Sequence, residues 1–463
     1  MLHRLKKRYI GDKAFYRMAL AIAVPIMIQN GISNFVSMLD NIMVGRVGTE
    51  QMTGVAIVNQ LIFVFNLMIF GAVSGAGIFG AQFFGNGDYK GVRDTFRFKL
   101  ISCAVLTIAG ILVFLFLGDK LIWLYLQGEG SPEEIEASFG YAKQYLQIML
   151  AGFVPFFISQ CYSATLRETG ETMLPMKSGI AAVFVNMCFN ALLIFGLLGF
   201  PKMGAAGAAV ATVISRFVEA GIVIAATHRN KEKYRFIEGA YKSLRVPKEL
   251  VAGILQKGVP LLLNETLWAG SMAVLNQCYS VRGYDVVSAV NIASTITNVF
   301  NVSFIAMGSA IGIIIGQMLG GGRTEEAVDA NRKLTVFSIV FCLLFGVALM
   351  GVAPFFPRIY EAGQSIRDMA AKFIRVAAFC MPLGAFANAC YFTLRSGGKT
   401  FVTVLFDSCY AWVVVVPLAY CLSRFTGMPI VPLYLCCQLV EIGKCIIGFV
   451  MIKSGIWIQK IVA

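Results

Sequence analysis

The chain has 463 residues, 58% of them hydrophobic and 14% charged, with a net charge of +14 and a mean hydropathy of +0.74. So little charge excludes a soluble domain of this size. The basic excess flanks apolar runs, which reads as membrane topology and not as nucleic-acid binding.

In chain order, the first expected span is 18–39. The 22 residues from Met18 to Leu39 carry no charge, and as a helix they reach about 33 Å, the thickness of a bilayer core. The run is too long for a signal-peptide core and lacks a clear cleavage site, so it is expected to stay as a membrane helix. Pro25 lies inside it, where a missing backbone N–H permits a bend, and reads as a hinge. Asp40 follows the run. By position alone it is either a helix end at the membrane surface or a carboxylate held inside.

Further spans are expected at 52–82, 98–118, 140–165, 178–200 and 204–227. The polar stretch 228–254, "HRNKEKYRFIEGAYKSLRVPKELVAGI", then acts as a linker. Six more spans follow at 255–281, 287–317, 334–357, 370–394, 401–422 and 430–452. No alternating ten-residue pattern suggests a membrane barrel. Basic residues crowd the start (Arg4, Lys6, Lys7, Arg8, Lys13, Arg17) and the linker, whereas the loop near Glu129, Glu133, Glu134 and Glu136 is acidic. The positive-inside rule places both termini and the linker in the cytoplasm.

The chain is written twice. At an offset of 235, Val24-Pro25 meets Val259-Pro260, Gly48 meets Gly283, and Val64-Phe65-Asn66 meets Val299-Phe300-Asn301. Gln82, Gly85, Asp94 and Arg97 meet Gln317, Gly320, Asp329 and Arg332. Later, at 228, Thr165-Leu166-Arg167 meets Thr393-Leu394-Arg395, and at 222 Val218-Glu219 meets Val440-Glu441. Pro260 is thus the second hinge candidate. Six spans per half is an even number, so the halves share one orientation. The expected fold is an all-α polytopic membrane protein of twelve transmembrane helices in two parallel six-helix repeats, related by a pseudo-twofold axis along the membrane normal. Its parts are an N-terminal lobe (1–227), a cytoplasmic linker (228–254) and a C-terminal lobe (255–463). Two such bundles facing a central cavity suit alternating access.

Among the charges within spans, Glu265 stands alone between Lys257 and Arg282. It lies about 12 Å of helix from Lys257. An intramembrane carboxylate is a functional candidate, here able to bind and release a proton; the bland alternative is a hydrogen bond to Trp268 or a neighbouring helix. Asp407 lies eight residues after Lys399 and reads equally as structural or functional. Arg216/Glu219 and Glu441/Lys444 are spaced for local ion pairs. The twelve cysteines are scattered through apolar runs without a C-x-x-C pair, so reduced thiols and no metal site are expected. Only two histidines exist, His3 and His228, both in basic segments, which argues against a histidine-dependent membrane enzyme.

The segments "VPIMIQNGISNFVSMLDNIMVGRVG", "TLRETGET", "TLRSGGKT" and "PKMGAAGAAVATVISR", with the six-plus-six pattern, resemble the multidrug and toxic compound extrusion (MATE) transporters over essentially the whole chain. The resemblance implies secondary active export of amphipathic, often cationic, organic compounds in exchange for protons or sodium, by two lobes that rock between inward- and outward-open states. It makes Asp40 the coupling carboxylate of the first helix. Asn186 and Asn190 match polar positions of the fifth helix, although some members carry Asp where this chain has Asn190. Thr212 matches a hydroxyl of the sixth helix. Glu265 matches the seventh-helix carboxylate. One branch has a further carboxylate in the tenth helix, where this chain offers Asn388. Together Asn186, Asn190 and Thr212 are expected to surround Asp40 with oxygens that accept a hard cation or a proton. No enzyme activity, cofactor, resident metal or nucleic-acid partner is expected. The expected protein is a multi-pass monomer in the cell membrane, in contact with lipid and small-molecule substrates. The alternative is a flippase for a lipid-linked or polyprenyl-linked intermediate, which would favour a strongly cationic cavity.

Overall fold

The computed structural model describes residues 9–126, 131–360 and 362–462, and no strand occurs among them. His3, the early basic residues Arg4, Lys6, Lys7 and Arg8, and Glu129 lie outside the described residues. In chain order the long helices of the first half are α1 (Lys13–Gly45), α2 (Thr49–Gly85), α3 (Tyr89–Leu126), α4 (Pro132–Ala151), α5 (Phe153–Glu168), α6 (Met173–Phe195) and α7 (Ala205–Arg229). Those of the second half are α8 (Lys248–Ser280), α9 (Tyr284–Gly320), α10 (Thr324–Val352), α11 (Gln364–Ser396), α12 (Thr400–Phe425), α13 (Ile430–Leu439) and α14 (Glu441–Lys453). Among the described residues ten spans are long and apolar enough to cross a membrane, and α4 with α5 makes an eleventh. The twelfth is α8, which falls short of that apolarity because it holds Gln256, Lys257, Asn264 and Glu265.

The duplication is visible in the helix bounds. Helices α1 and α8 both have 33 residues, and α2 and α9 both have 37, with each start and end displaced by the same 235 positions. Pro25 and Pro260 therefore occupy the same place, well inside α1 and α8 and beyond any first turn.

Several expected spans differ in detail: 98–118 lies inside Tyr89–Leu126, 334–357 falls on Thr324–Val352, and three more show a backbone cause. The span 140–165 is two helices bent by 48° at Gly152. Pro155 has no N–H to continue the ladder there. The span 178–200 begins earlier, at Met173, and stops at Phe195, because Gly196 takes a left-handed conformation (φ 72°) that closes the helix. The span 401–422 is not uniform α-helix: π turns occupy Leu405–Cys409 and Ala411–Val415.

The described chain divides into two compact units. One comprises Ile28–Gly80 and Asp88–Ile254. Within it, α6 and α7 pack face to face because α7 presents small residues, Ala205, Ala206, Ala208, Ala209 and Ala211, all buried. Gly207 lies flat on Leu193, where a Cβ would stand 2.7 Å from the Leu193 carbonyl oxygen. Phe65 stacks on Phe153 with ring centroids 4.1 Å apart, and Gly110 on α3 leaves room for it.

The other unit comprises Met1–Met27, Ala81–Gly87 and Leu255–Ala463. Here the ends of α2 and α9 cross. A Cβ on Gly85 would meet the Gln317 carbonyl oxygen at 1.9 Å, and a Cβ on Gly320 would meet that of Gln82 at 1.9 Å. Gly85 and Gly320 are repeat partners, as are Gln82 and Gln317, so the crossing is self-complementary. The buried Gln82 side chain then donates to the carbonyls of Ser396 (3.0 Å) and Gln459 (3.1 Å) and accepts from the Ile461 N–H (2.8 Å).

Candidate ion-coupling sites

The close α6–α7 approach at Gly207 sets Asn186 and Asn190 level with Thr212. Asn186 and Asn190 are four apart and share one helix face. Both are buried. The Asn190 amide donates to Asp40 Oδ1 at 2.5 Å and to Asn186 Oδ1 at 3.0 Å. The Asn186 amide in turn donates to Thr212 Oγ1 at 3.3 Å, and that hydroxyl donates to the Ala208 carbonyl at 2.9 Å. All four expected residues thus join one chain of hydrogen bonds.

The arrangement is not the ring of oxygens expected from sequence. Each amide turns its nitrogen toward the next group, because a carboxylate accepts only and needs a donor. The consequence is that Asn190 Oδ1, beside Asp40, is buried without a hydrogen-bond partner. A fully buried acceptor next to a carboxylate is a place where a proton carried by Asp40, or a small cation, gains a contact.

In the other unit, Glu265 on α8 accepts from the hydroxyl of Tyr391 on α11 at 3.2 Å. This partner lies on a neighbouring helix, as the bland alternative expected, and is not Trp268. Asn388 Oδ1 is buried without a partner and presses on Gly308, where a Cβ would stand 2.2 Å away. Asp407 accepts from Lys444 at 2.5 Å and from the Asn264 amide at 3.0 Å. Asn264 Oδ1 in turn accepts from Ser408 at 2.7 Å. The Glu441/Lys444 contact exists at 3.7 Å, but it is the looser of the two that Lys444 makes. Arg216 does not turn to Glu219. Its guanidinium donates to the Gly152 carbonyl (3.3 Å) and lies 4.8 Å from the Phe156 ring centre.

Sequence reasoning did not see the buried Lys99–Glu168 ion pair at all. Lys99, whose side chain is fully buried, donates to both Glu168 oxygens (2.6 and 2.5 Å) and to Thr165 Oγ1 (3.1 Å). Glu168 fits against α2 because Gly77 and Gly80 carry no side chain there. In sequence Lys99 reads as a basic flank, beside Arg93 and Arg97.

Comparison with known proteins adds the family. The MatE family model matches residues 25–192 and again 260–421, once per half, beginning at the two repeat prolines. The chain is 25% identical over 447 residues to a protein of Thermotoga maritima named "Probable multidrug resistance protein NorM", covering 96% of this chain and 93% of that one. Its fold is similar to that of a structure described as an outward-facing multidrug resistance MATE family transporter (TM-score 0.86, 19% identity, 96% of both chains). It is also similar to that of a MOP superfamily transporter from Pyrococcus furiosus (TM-score 0.85, 19% identity, 97% of both chains). With twelve spans in two matching halves and the family pattern falling once on each, this chain is a multi-pass membrane protein that belongs to the MatE family of transporters.

Proposed function

We propose that the protein is a secondary active transporter that exports amphipathic, cationic organic compounds by antiport against protons or sodium, with Asp40 as the coupling carboxylate. The observation that carries this reading is the unpartnered, buried Asn190 Oδ1 beside Asp40, in a chain of amides that ends at Thr212. In the empty state Asp40 keeps its charge through the Asn190 donor. An arriving proton or cation neutralises it and engages Asn190 Oδ1. The loss of charge changes how α1 packs on α6, and Pro25, which leaves α1 one backbone hydrogen bond short, lets the change pass along α1 and shift the balance between two open states.

Glu265, held by Tyr391, serves the second lobe as the counterpart site for substrate or ion. The names of the curated relatives support efflux. The flippase alternative would want cations free to hold phosphate, and Lys444 is already engaged by Asp407 and Glu441. One charge crossing 100 mV supplies about 2.3 kcal/mol, roughly a fiftyfold accumulation. The protein works as a monomer in the cell membrane with both termini on the cytoplasmic side, as its flanking basic residues favour.

The test is ethidium efflux from proteoliposomes under separately imposed proton and sodium gradients. Efflux that follows one gradient supports the reading and names the ion. Efflux indifferent to both overturns it.

A further inference from the structure

The repeat separates what the two lobes share from what each holds alone. Shared are an amide at Gln29 and Asn264, an arginine at Arg167 and Arg395, and a glutamate at Glu219 and Glu441. In the first half Arg167 donates to Gln29 at 2.7 Å, and Gly179 leaves space for that longer amide. In the second half the shorter Asn264 stands opposite Asp407, at the position equivalent to Gly179, and Lys444 replaces Ile222. The second half therefore adds a carboxylate and an ammonium to a framework that holds together without them in the first.

The local backbone changes at the same place. Helices α6 and α7 are regular through this region. Their counterparts are not. Asp407 lies in the first π turn of α12, and the break between α13 and α14 falls at Val440, directly before Glu441. The Tyr410 hydroxyl donates to the carbonyl at that break (2.6 Å), in space left by Gly443. Single π turns inside α-helices recur at functional sites. Lys444 sits between two carboxylates, 2.5 Å from Asp407 and 3.7 Å from Glu441.

We propose that Asp407 is a second proton-binding carboxylate and that Lys444 is its movable internal counter-ion, exchanged between Asp407 and Glu441. Asp407 takes a proton from water and becomes neutral. Lys444 keeps its own protons and transfers its ion pair to Glu441, so the group of three goes from one net negative charge to none. Asn264 stays on Asp407, and through its neighbour Glu265 links this site to the one described above. The groups that face the pair are Glu265 from α8, Tyr391 and Cys390 from α11, Tyr410 from α12 itself, and Glu441 and Cys445 from α14; Arg395 from α11 faces Glu265 and Tyr391. The use of this proton in transport rests on the antiport reading; its binding does not.

The experiment is pH-difference infrared spectroscopy of the purified protein in lipid, without substrate or gradient. A protonated-carboxyl carbonyl band that disappears in Asp407→Asn is expected. Glu441→Asp keeps the charge but shortens the reach of the acceptor for Lys444. There the Asp407 band should require about tenfold more acid than in the wild type. Glu441→Gln should behave alike, and Asp40→Asn should leave the band in place. A spectrum unchanged in Asp407→Asn overturns the proposal, as does a wild-type midpoint in Glu441→Asp, which reduces Glu441 to a fixed background charge. Glu441→Asp leaves the Asp407–Lys444 bond intact and decides the matter even if Asp407→Asn does not fold. A failure of ion-coupled efflux in the wild type would sink the antiport reading and leave these spectra standing.

Discussion

Asn190 donates its side-chain amide to Asp40 across 2.5 Å, and its own carbonyl oxygen, fully buried beside that bond, has no hydrogen-bond partner. The bond needs Asn190 to keep its amide, because Asn186 Oδ1 depends on the same nitrogen. Asn190→Leu leaves Asp40 Oδ1 and the buried Asn186 Oδ1 without this donor and should lower stability by about 1–3 kcal/mol. Thermal unfolding in detergent measures this, and gradient-driven efflux should fall with it. A variant with wild-type melting and efflux would show that the amide chain is dispensable.

The Gly85–Gln317 and Gly320–Gln82 contacts are backbone against backbone, so neither can be relieved by a side-chain shift. Gly85→Ala and Gly320→Ala should each destabilise by about 1–3 kcal/mol and by similar amounts, since the two sites are repeat partners. Gly140 on α4 has open space at its Cβ and is the control. There alanine should stabilise by about 0.5–1 kcal/mol. Unequal or negligible losses at positions 85 and 320 would contradict the self-complementary crossing.

The Lys99–Glu168 pair has a natural replacement in the same chain. Its repeat partners are Leu334 and Ser396, and Gly80, one of the two glycines that make room for Glu168, is Ile315. Ile315 and Leu334 are both fully buried in one apolar cluster. Lys99→Met alone takes the ammonium away from a buried carboxylate and should cost about 3–5 kcal/mol. The triple change Lys99→Leu, Glu168→Ser, Gly80→Ile should recover most of that loss. Comparing the melting temperatures of the two variants checks it; a triple variant no better than the single one would mean that the halves do not exchange packing.

Outside the spans, Lys233 pairs with Glu171, which also accepts from the Leu174 N–H at 3.3 Å. Burial works against the Glu171 charge, but the Lys233 ammonium and the other donors outweigh it and hold the carboxyl below its usual value. A depressed carboxyl contributes stability that is complete above the unfolded value near 4.5 and is lost as pH falls through the folded value. With Lys233 mostly exposed, the contribution is at most about 1 kcal/mol. Acid titration of the melting temperature should therefore show a small drop below that value in the wild type and none from this source in Glu171→Gln.

The repeat was legible because glycine and proline cannot be replaced freely, so Pro25, Gly85 and their partners keep their spacing while the apolar residues between them drift. Apolar run lengths located each span but not its ends, which lie up to ten residues away (Thr324 against 334), and they missed the backbone chemistry at Pro155 and Gly196. Partners distant in sequence were not legible. Lys99 meets Glu168 69 positions away, and Asp407 meets Lys444 37 positions away, across helices whose facing only packing decides. The π turns around Asp407 have no local sequence signature. The four residues of the Asp40 chain were legible as a group, but not the direction of their amides, which follows from the carboxylate's need for a donor.

The most direct test of ion coupling is Asp40→Asn in proteoliposomes, with ethidium efflux measured under the gradient that drives the wild type. The substitution keeps size and hydrogen-bonding reach and removes the charge. Efflux should collapse at least tenfold, while ethidium binding and the melting temperature stay close to wild type. Wild-type gradient dependence in this variant would contradict the central claim and leave Asp40 a structural acceptor for Asn190 within α1.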